Sequence, residues 1–251
     1  MLIFYALFLV TGLVVGSFLG MLTFRIPRKK KLSGRSFCDE CGEKIRWFEN
    51  IPILSFLLLG GRCRVCKKKI SLRYPLIEVL AAMSFLAIGY LWSNLMPEQS
   101  LVFLLLLGTL LLGLLVTDIE FQTLPDEILL PLALLTFLAL LFAPSPTLFT
   151  HLFWGFIVFL FFLAIYLLTH GRGMGFGDVK LVFILGSLLG YPGSLVWIFL
   201  SFLTGATSGL IMIIIGRAKR NSQIAFGPYL IFSFWIAIFW GKTIYEWYLN
   251  L

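Results

Sequence analysis

Long apolar runs broken by short polar stretches organise this chain. They fall at about 2–22, 74–93, 100–117, 128–143, 148–169, 179–190, 194–215 and 224–248. Most approach the roughly 20 residues that a helix needs to cross a hydrocarbon core. The fourth and sixth are short, as tilted, protein-shielded or partly re-entrant segments would be. The pattern predicts an all-α polytopic membrane protein with about eight transmembrane helices, within a range of seven to nine.

Composition agrees. The chain is 60% hydrophobic and 13% charged, with a mean hydropathy of +0.99, more apolar surface than a soluble domain of 251 residues can hide. A net charge of +8 would point to nucleic acid in a soluble protein. No hydrophilic segment here is large enough for a nucleic-acid-binding fold, so no such partner is expected. The charge is distributed by topology instead. With eight spans, the segments 23–73, 118–127, 170–178 and 216–223 share one side. That side takes Arg25 through Arg73, Arg172 with Lys180 just beyond it, and Arg217, Lys219 and Arg220. Of the 20 Lys and Arg residues, Lys242 alone falls opposite. Retention of basic loops makes the rich side cytoplasmic and puts both termini outside. The first run has no basic stretch before it and is followed by Arg25, which reads as a span rather than a cleaved signal.

The cytoplasmic segment 23–73 contains Cys38, Cys41, Cys63 and Cys66, spaced C-x2-C-x21-C-x2-C. Two such pairs close a tetrahedral zinc site, and a reducing compartment disfavours the alternative of two disulfides. Four sulfur ligands leave no open position, so the expected metal is structural and folds a small zinc ribbon between the first two spans. The basic residues around it, Arg62, Arg64, Lys67, Lys68 and Lys69, suit anionic headgroups or simply a solvated face.

Among the acids, Asp39, Glu40, Glu43 and Glu49 belong to the ribbon, and Glu98 and Glu246 lie toward the outside. Asp118 ends the run from Leu101, and Asp178 precedes the run from Val179. Each therefore sits at the cytoplasmic end of a span, where a carboxylate is costly. One hairpin of spans separates them, which returns the chain to the same membrane side. Two carboxyls at one depth can share a proton and a water, one acting as acid and the other as base. Each can also be a helix-end residue facing water. The surroundings of Asp178 favour the first account: Gly173, Gly175 and Gly177 alternate before it, leaving little bulk beside the carboxyl. Gly175, Phe176 and Gly177 are the expected active-site loop against which an extended substrate would lie. Asp126, in Leu124-Pro125-Asp126, competes for the first role. It is better explained as a helix-start residue.

Seven pieces in order give the chain a resemblance to the type IV prepilin peptidases, the prepilin leader peptidase/N-methyltransferase family of GxGD aspartyl membrane proteases. They are Gly16-Ser17-Phe18-Leu19 with Arg25-Ile26-Pro27, the cysteine pairs, Asn50-Ile51-Pro52, Arg73-Tyr74-Pro75-Leu76-Ile77-Glu78, the Asp118 segment, Gly173 to Leu181, and Phe226-Gly227-Pro228. The departure is Gly20, where the family commonly has Asn. Presenilin-type relatives usually carry Tyr before the first Asp, where this chain has Thr117.

The resemblance implies a catalytic pair at Asp118 and Asp178. It implies an N-terminal methyltransferase-like region over residues 1–98, holding the first span, the ribbon and the second span, and a peptidase domain over 99–251. The implied activity is removal of the short basic leader of prepilins or pseudopilins at the cytoplasmic face of the bacterial cytoplasmic membrane. Methylation of the new N-terminus from S-adenosylmethionine would follow. No dinucleotide-type glycine fingerprint is present, so a cofactor site must come from the cytoplasmic loop and adjoining helix ends. Glu78 is a weak candidate for contact with cofactor or amine; pairing with Arg73 at a helix start is the other account of it. The competing functions are a peptidase without methyl transfer, a proton-coupled transporter using Asp118 and Asp178, and a non-enzymatic zinc-ribbon assembly factor.

Overall fold

The structure, a computed structural model, describes residues 2–38, 40–95, 100–143, 147–216 and 225–250. Asp39, Glu98, Arg217, Lys219 and Arg220 lie outside the described residues, as does most of the turn after Ala143. The elements are α1 (Leu2–Arg25), α2 (Leu54–Leu58), α3 (Arg73–Leu95), α4 (Leu101–Phe121), α5 (Asp126–Leu141), α6 (Thr147–Leu168), α7 (Phe176–Ile214) and α8 (Gly227–Leu249), with a 3₁₀ turn at Trp47–Asn50. Among the described residues there is no named strand, only two isolated bridges in the cysteine loop. Among the described residues five helices, α1, α3, α4, α6 and α7, are long and apolar enough to cross a membrane. At 39 residues, α7 carries both the sixth and seventh predicted spans. It breaks at Gly190 (φ 59°) and Tyr191, ahead of Pro192, which has no N–H to continue the ladder. The fourth predicted span is α5, only 16 residues long. The all-α polytopic architecture is therefore as expected.

The chain divides into two compact units, Met1–Val116 and Thr117–Leu251. In the first, α1 and α3 run antiparallel at close range, because α1 presents a glycine every fourth residue. A Cβ on Gly12 would sit 2.6 Å from Ala82 Cα, one on Gly16 2.6 Å from Glu78 Cα, and one on Gly20 3.3 Å from the Tyr74 ring. Such small-residue ladders let helices approach where no water drives them together. Leu19, Ile77, Ala81, Leu112 and Val116 form the core beside this seam. The end of α1 is fastened by polar contacts: Arg73 donates to Gly20 O (2.8 Å) and Thr23 Oγ1 (2.6 Å). Buried Arg25 gathers the carbonyls of Leu32 (2.9 Å) and Arg35 (3.2 Å).

In the second unit α7 is the central element, packed by α5, α6 and α8. Trp197 is fully buried and donates its indole N–H to Leu230 O at 2.8 Å, tying α7 to α8. On the other side Gly155 of α6 leaves room for the α7 backbone, since a Cβ there would lie 2.8 Å from Ser187 N. His151 Nδ1–H reaches Ser187 O at 2.9 Å, just before the break in α7.

Candidate active site and metal centre

The second unit brings Asp118 and Asp178 together. Asp118 lies in the last turn of α4 and Asp178 in the first turn of α7. Both are nearly inaccessible, at 5% and 7% exposed, and Asp178 feels Asp118 as a neighbouring negative charge. Backbone N–H groups lie against both carboxylates. The Gly175-Phe176-Gly177-Asp178 segment is a capping box: Gly175 is the N-cap, and its N–H donates to Asp178 Oδ2 at 3.1 Å. Asp118 stands at a helix C-terminus, where the dipole opposes negative charge. The N-terminus of α8 offsets this, because Gly227 N–H donates to the Asp118 carboxylate. What remains is unusual for a folded interior: Asp118 Oδ2 and Asp178 Oδ1 are buried and have no hydrogen-bond partner among the described residues. Such groups carry a desolvation penalty and require an explanation.

The neighbours fix this geometry. Gly177 is tight against the Leu124 side chain, where a Cβ would sit 2.9 Å away. Phe176 is half-exposed, with its ring against Tyr166 and Lys180 over its face. Lys180 reaches Asp126 at 2.7 and 2.9 Å. Asp126 is thus an exposed, ion-paired residue in the first turn of α5, as a helix-start acid would be. Gly227 is the residue that sequence reasoning missed. Its triplet was visible as a family piece, but nothing local tied it to a carboxylate more than a hundred residues away.

In the first unit the four cysteine Sγ atoms lie within 4.8 Å of one another, and Cys38 Sγ and Cys66 Sγ are 3.9 Å apart. A tetrahedral Zn–S site with bonds of about 2.3 Å has sulfur–sulfur edges of about 3.8 Å, so the set fits a metal of that kind. Two knuckles, 25 residues apart, build it. Cys38 N–H donates to Glu43 O (2.8 Å) and Cys63 N–H to Lys68 O (2.9 Å), and the bridges Phe37–Lys44 and Arg62–Lys69 close them. Both turns need a left-handed residue, met by Gly42 (φ 72°) in one and Lys67 (φ 57°) in the other. Backbone N–H groups of Cys66 and Val65 lower the Cys63 thiol to about 7, favouring the thiolate that a metal requires. Lys68 pairs with Glu40, and Arg64 with Glu49 at 2.6 Å.

Between this ribbon and the ends of α1 and α3 lies a cavity of about 290 Å³, whose walls include Phe24, Tyr74, Glu40, Glu49, Phe56 and Glu78. Glu78 is buried; its Oε2 accepts the Ile53 N–H at 2.8 Å, and Ser17 also bonds the carboxylate.

Comparison with known proteins places the chain among relatives. Residues 10–92 match the model of the bacterial peptidase A24 N-terminal domain, and residues 104–210 that of the type IV leader peptidase family. Relatives named prepilin leader peptidase/N-methyltransferase include one from Aeromonas salmonicida, 34% identical over 99% of this chain and 94% of its own length. Another, from Pseudomonas aeruginosa, is 35% identical over 95% and 91%. A third, from Neisseria gonorrhoeae, is 36% identical over 90% and 87%. No solved structure matches. With likeness at this level along nearly its whole length, the chain belongs to the prepilin leader peptidase/N-methyltransferase family.

Proposed function

We propose that this protein is a membrane aspartic endopeptidase that removes the short basic leader of type IV prepilins or pseudopilins, then methylates the new N-terminus from S-adenosylmethionine. Both reactions are assigned to the cytoplasmic face of the bacterial cytoplasmic membrane, with the ribbon on that side. Residues 99–251 carry the peptidase and residues 1–98 the methyltransferase.

The observation that carries the peptidase reading is the pair of buried carboxylates, Asp118 and Asp178, each with one oxygen that has no partner among the described residues. Backbone N–H groups of Gly175 and Gly227 orient the two carboxylates, so the pair can hold a water between them. One carboxylate takes a proton from that water as its oxygen adds to the scissile carbonyl carbon. The other, protonated, gives its proton to the leaving nitrogen as the C–N bond breaks. The half-exposed Phe176, flanked by Gly175 and Gly177, is where the substrate backbone would approach.

The four cysteines would hold a structural zinc ion, which supplies folding free energy to a loop with little core of its own. S-adenosylmethionine, when bound, supplies an electrophilic methyl group on a cationic sulfur. The cavity walls carry the Phe24 and Tyr74 rings and Glu43, beside Glu40 and Glu49, which are already paired with Lys68 and Arg64. The cavity would bind it, keep water from it and orient the deprotonated amine. The test is incubation of the purified protein with a prepilin. Leader removal should appear first, then the added mass of one methyl group on the mature chain, dependent on S-adenosylmethionine. An intact prepilin would reject the peptidase reading. Cleavage without the methyl gain would leave a peptidase alone.

A further inference from the structure

Ile53 is the one β-branched residue with positive φ among the described residues. At φ 59° and ψ −50°, with Leu54 N–H donating to Pro52 O at 2.5 Å, it forms a γ-turn of the uncommon hand. This conformation is strained, more so for a branched side chain. Strain of this sort persists only where surrounding structure over-determines it. The holding group is Glu78, 25 residues away on α3, whose Oε2 accepts the Ile53 N–H at 2.8 Å. The carboxylate is itself fixed. It is 8% exposed, it is bonded by Ser17 of α1, and α1 passes so close that a Cβ on Gly16 would lie 2.6 Å from Glu78 Cα. The segment pinned in this way matters because Asn50, Ser55 and Phe56, on both sides of the turn, line the cavity.

We propose that Glu78 is a positioning residue of this cavity: its carboxylate holds the Ile53 turn, and with it the wall formed by Asn50, Ser55 and Phe56, instead of binding cofactor or amine through its charge. The proposal rests on the methyltransferase reading for its activity measurement, and a second readout is independent of that reading. Glutamine keeps the acceptor for Ile53 N–H and offers a donor to the Ser17 hydroxyl, so a clamp tolerates it and a charge contact does not.

The experiment follows methylation of an already cleaved pilin by the full-length protein, with amide exchange at Ile53 measured on the same samples. Glu78→Gln should keep methyl transfer within about threefold of wild type and leave Ile53 protected, because both hydrogen bonds survive. Glu78→Ala should lose methyl transfer by about 30-fold or more and expose the Ile53 amide, while leader cleavage continues and shows that the protein is folded. Adding Ile53→Gly to Glu78→Ala should recover about tenfold, since glycine adopts this turn without steric cost. Loss of methyl transfer in Glu78→Gln with Ile53 still protected would overturn the proposal in favour of a charge contact. So would an Ile53 amide that exchanges as fast in wild type as in Glu78→Ala. Were wild type itself to transfer no methyl, the methyltransferase reading would fall, and exchange at Ile53 would still decide the clamp.

Discussion

Replacing Gly227 by alanine isolates the positioning of Asp118 from its chemistry. The added Cβ would lie 2.5 Å from Asp118 Oδ2 and 3.1 Å from its Cγ. Non-bonded heavy atoms settle near about 3.5 Å, so the carboxylate must retreat by roughly 1 Å or α8 must shift by as much. Gly227 is not at positive φ, so alanine brings no backbone strain there. A misplacement of about 1 Å in a catalytic group costs on the order of 100-fold, equivalent to about 2.7 kcal/mol of barrier. On the proposed function the substrate's leader and apolar helix bind away from this carboxylate, so the loss should fall on kcat with KM little changed. The assay is time-resolved mass spectrometry of prepilin cleavage by wild type and Gly227→Ala at several substrate concentrations, with thermal unfolding as the control for folding. Cleavage by Gly227→Ala within about threefold of wild type would refute the geometry, because the clash is too large to be absorbed silently.

Further outcomes follow from the same structure. Asp126→Asn should leave cleavage intact and cost at most about 1 kcal/mol in thermal unfolding, because the pair with Lys180 is exposed. Gly16→Ala should destabilise the α1–α3 seam by about 1–3 kcal/mol, read as a lower unfolding temperature, since its Cβ meets backbone and not a movable side chain. Cys38→Ser should release the bound metal, measured by elemental analysis, and with it the methyl-transfer activity; a variant that keeps a full equivalent of metal would contradict the four-sulfur site. Lys67→Gly should strengthen metal retention against a chelator by up to about 1 kcal/mol, since lysine there holds the left-handed turn that Gly42 fills in the other knuckle.

Much of this was legible along the chain. Hydrophobic runs located the helices because a membrane demands length and apolarity from each segment separately. The break in α7 was readable as two spans because Gly190 and Pro192 punctuate the run. Cysteine spacing gave the ribbon, and GxGD at a span boundary singled out Asp178 and its glycines, both local patterns. What escaped depends on contacts distant in sequence. Gly227 owes its place to Asp118, and Glu78 turns toward Ile53, with Arg73 fastened to α1. No local periodicity encodes either partner. Two signals were present and unread: Gly12, Gly16 and Gly20 at every fourth residue, and the 25-residue repeat that relates the two knuckles.

The central claim is that Asp118 and Asp178 act as one unit on a single water. Its most direct measurement is the mass of a prepilin after incubation with wild type, Asp118→Asn and Asp178→Asn, all inserted in the membrane at equal amounts. The account predicts a shortened pilin with wild type only, and full-length substrate with either variant, because one carboxamide cannot exchange protons for its missing partner. Leader removal that persists in either variant would contradict the assignment of that residue.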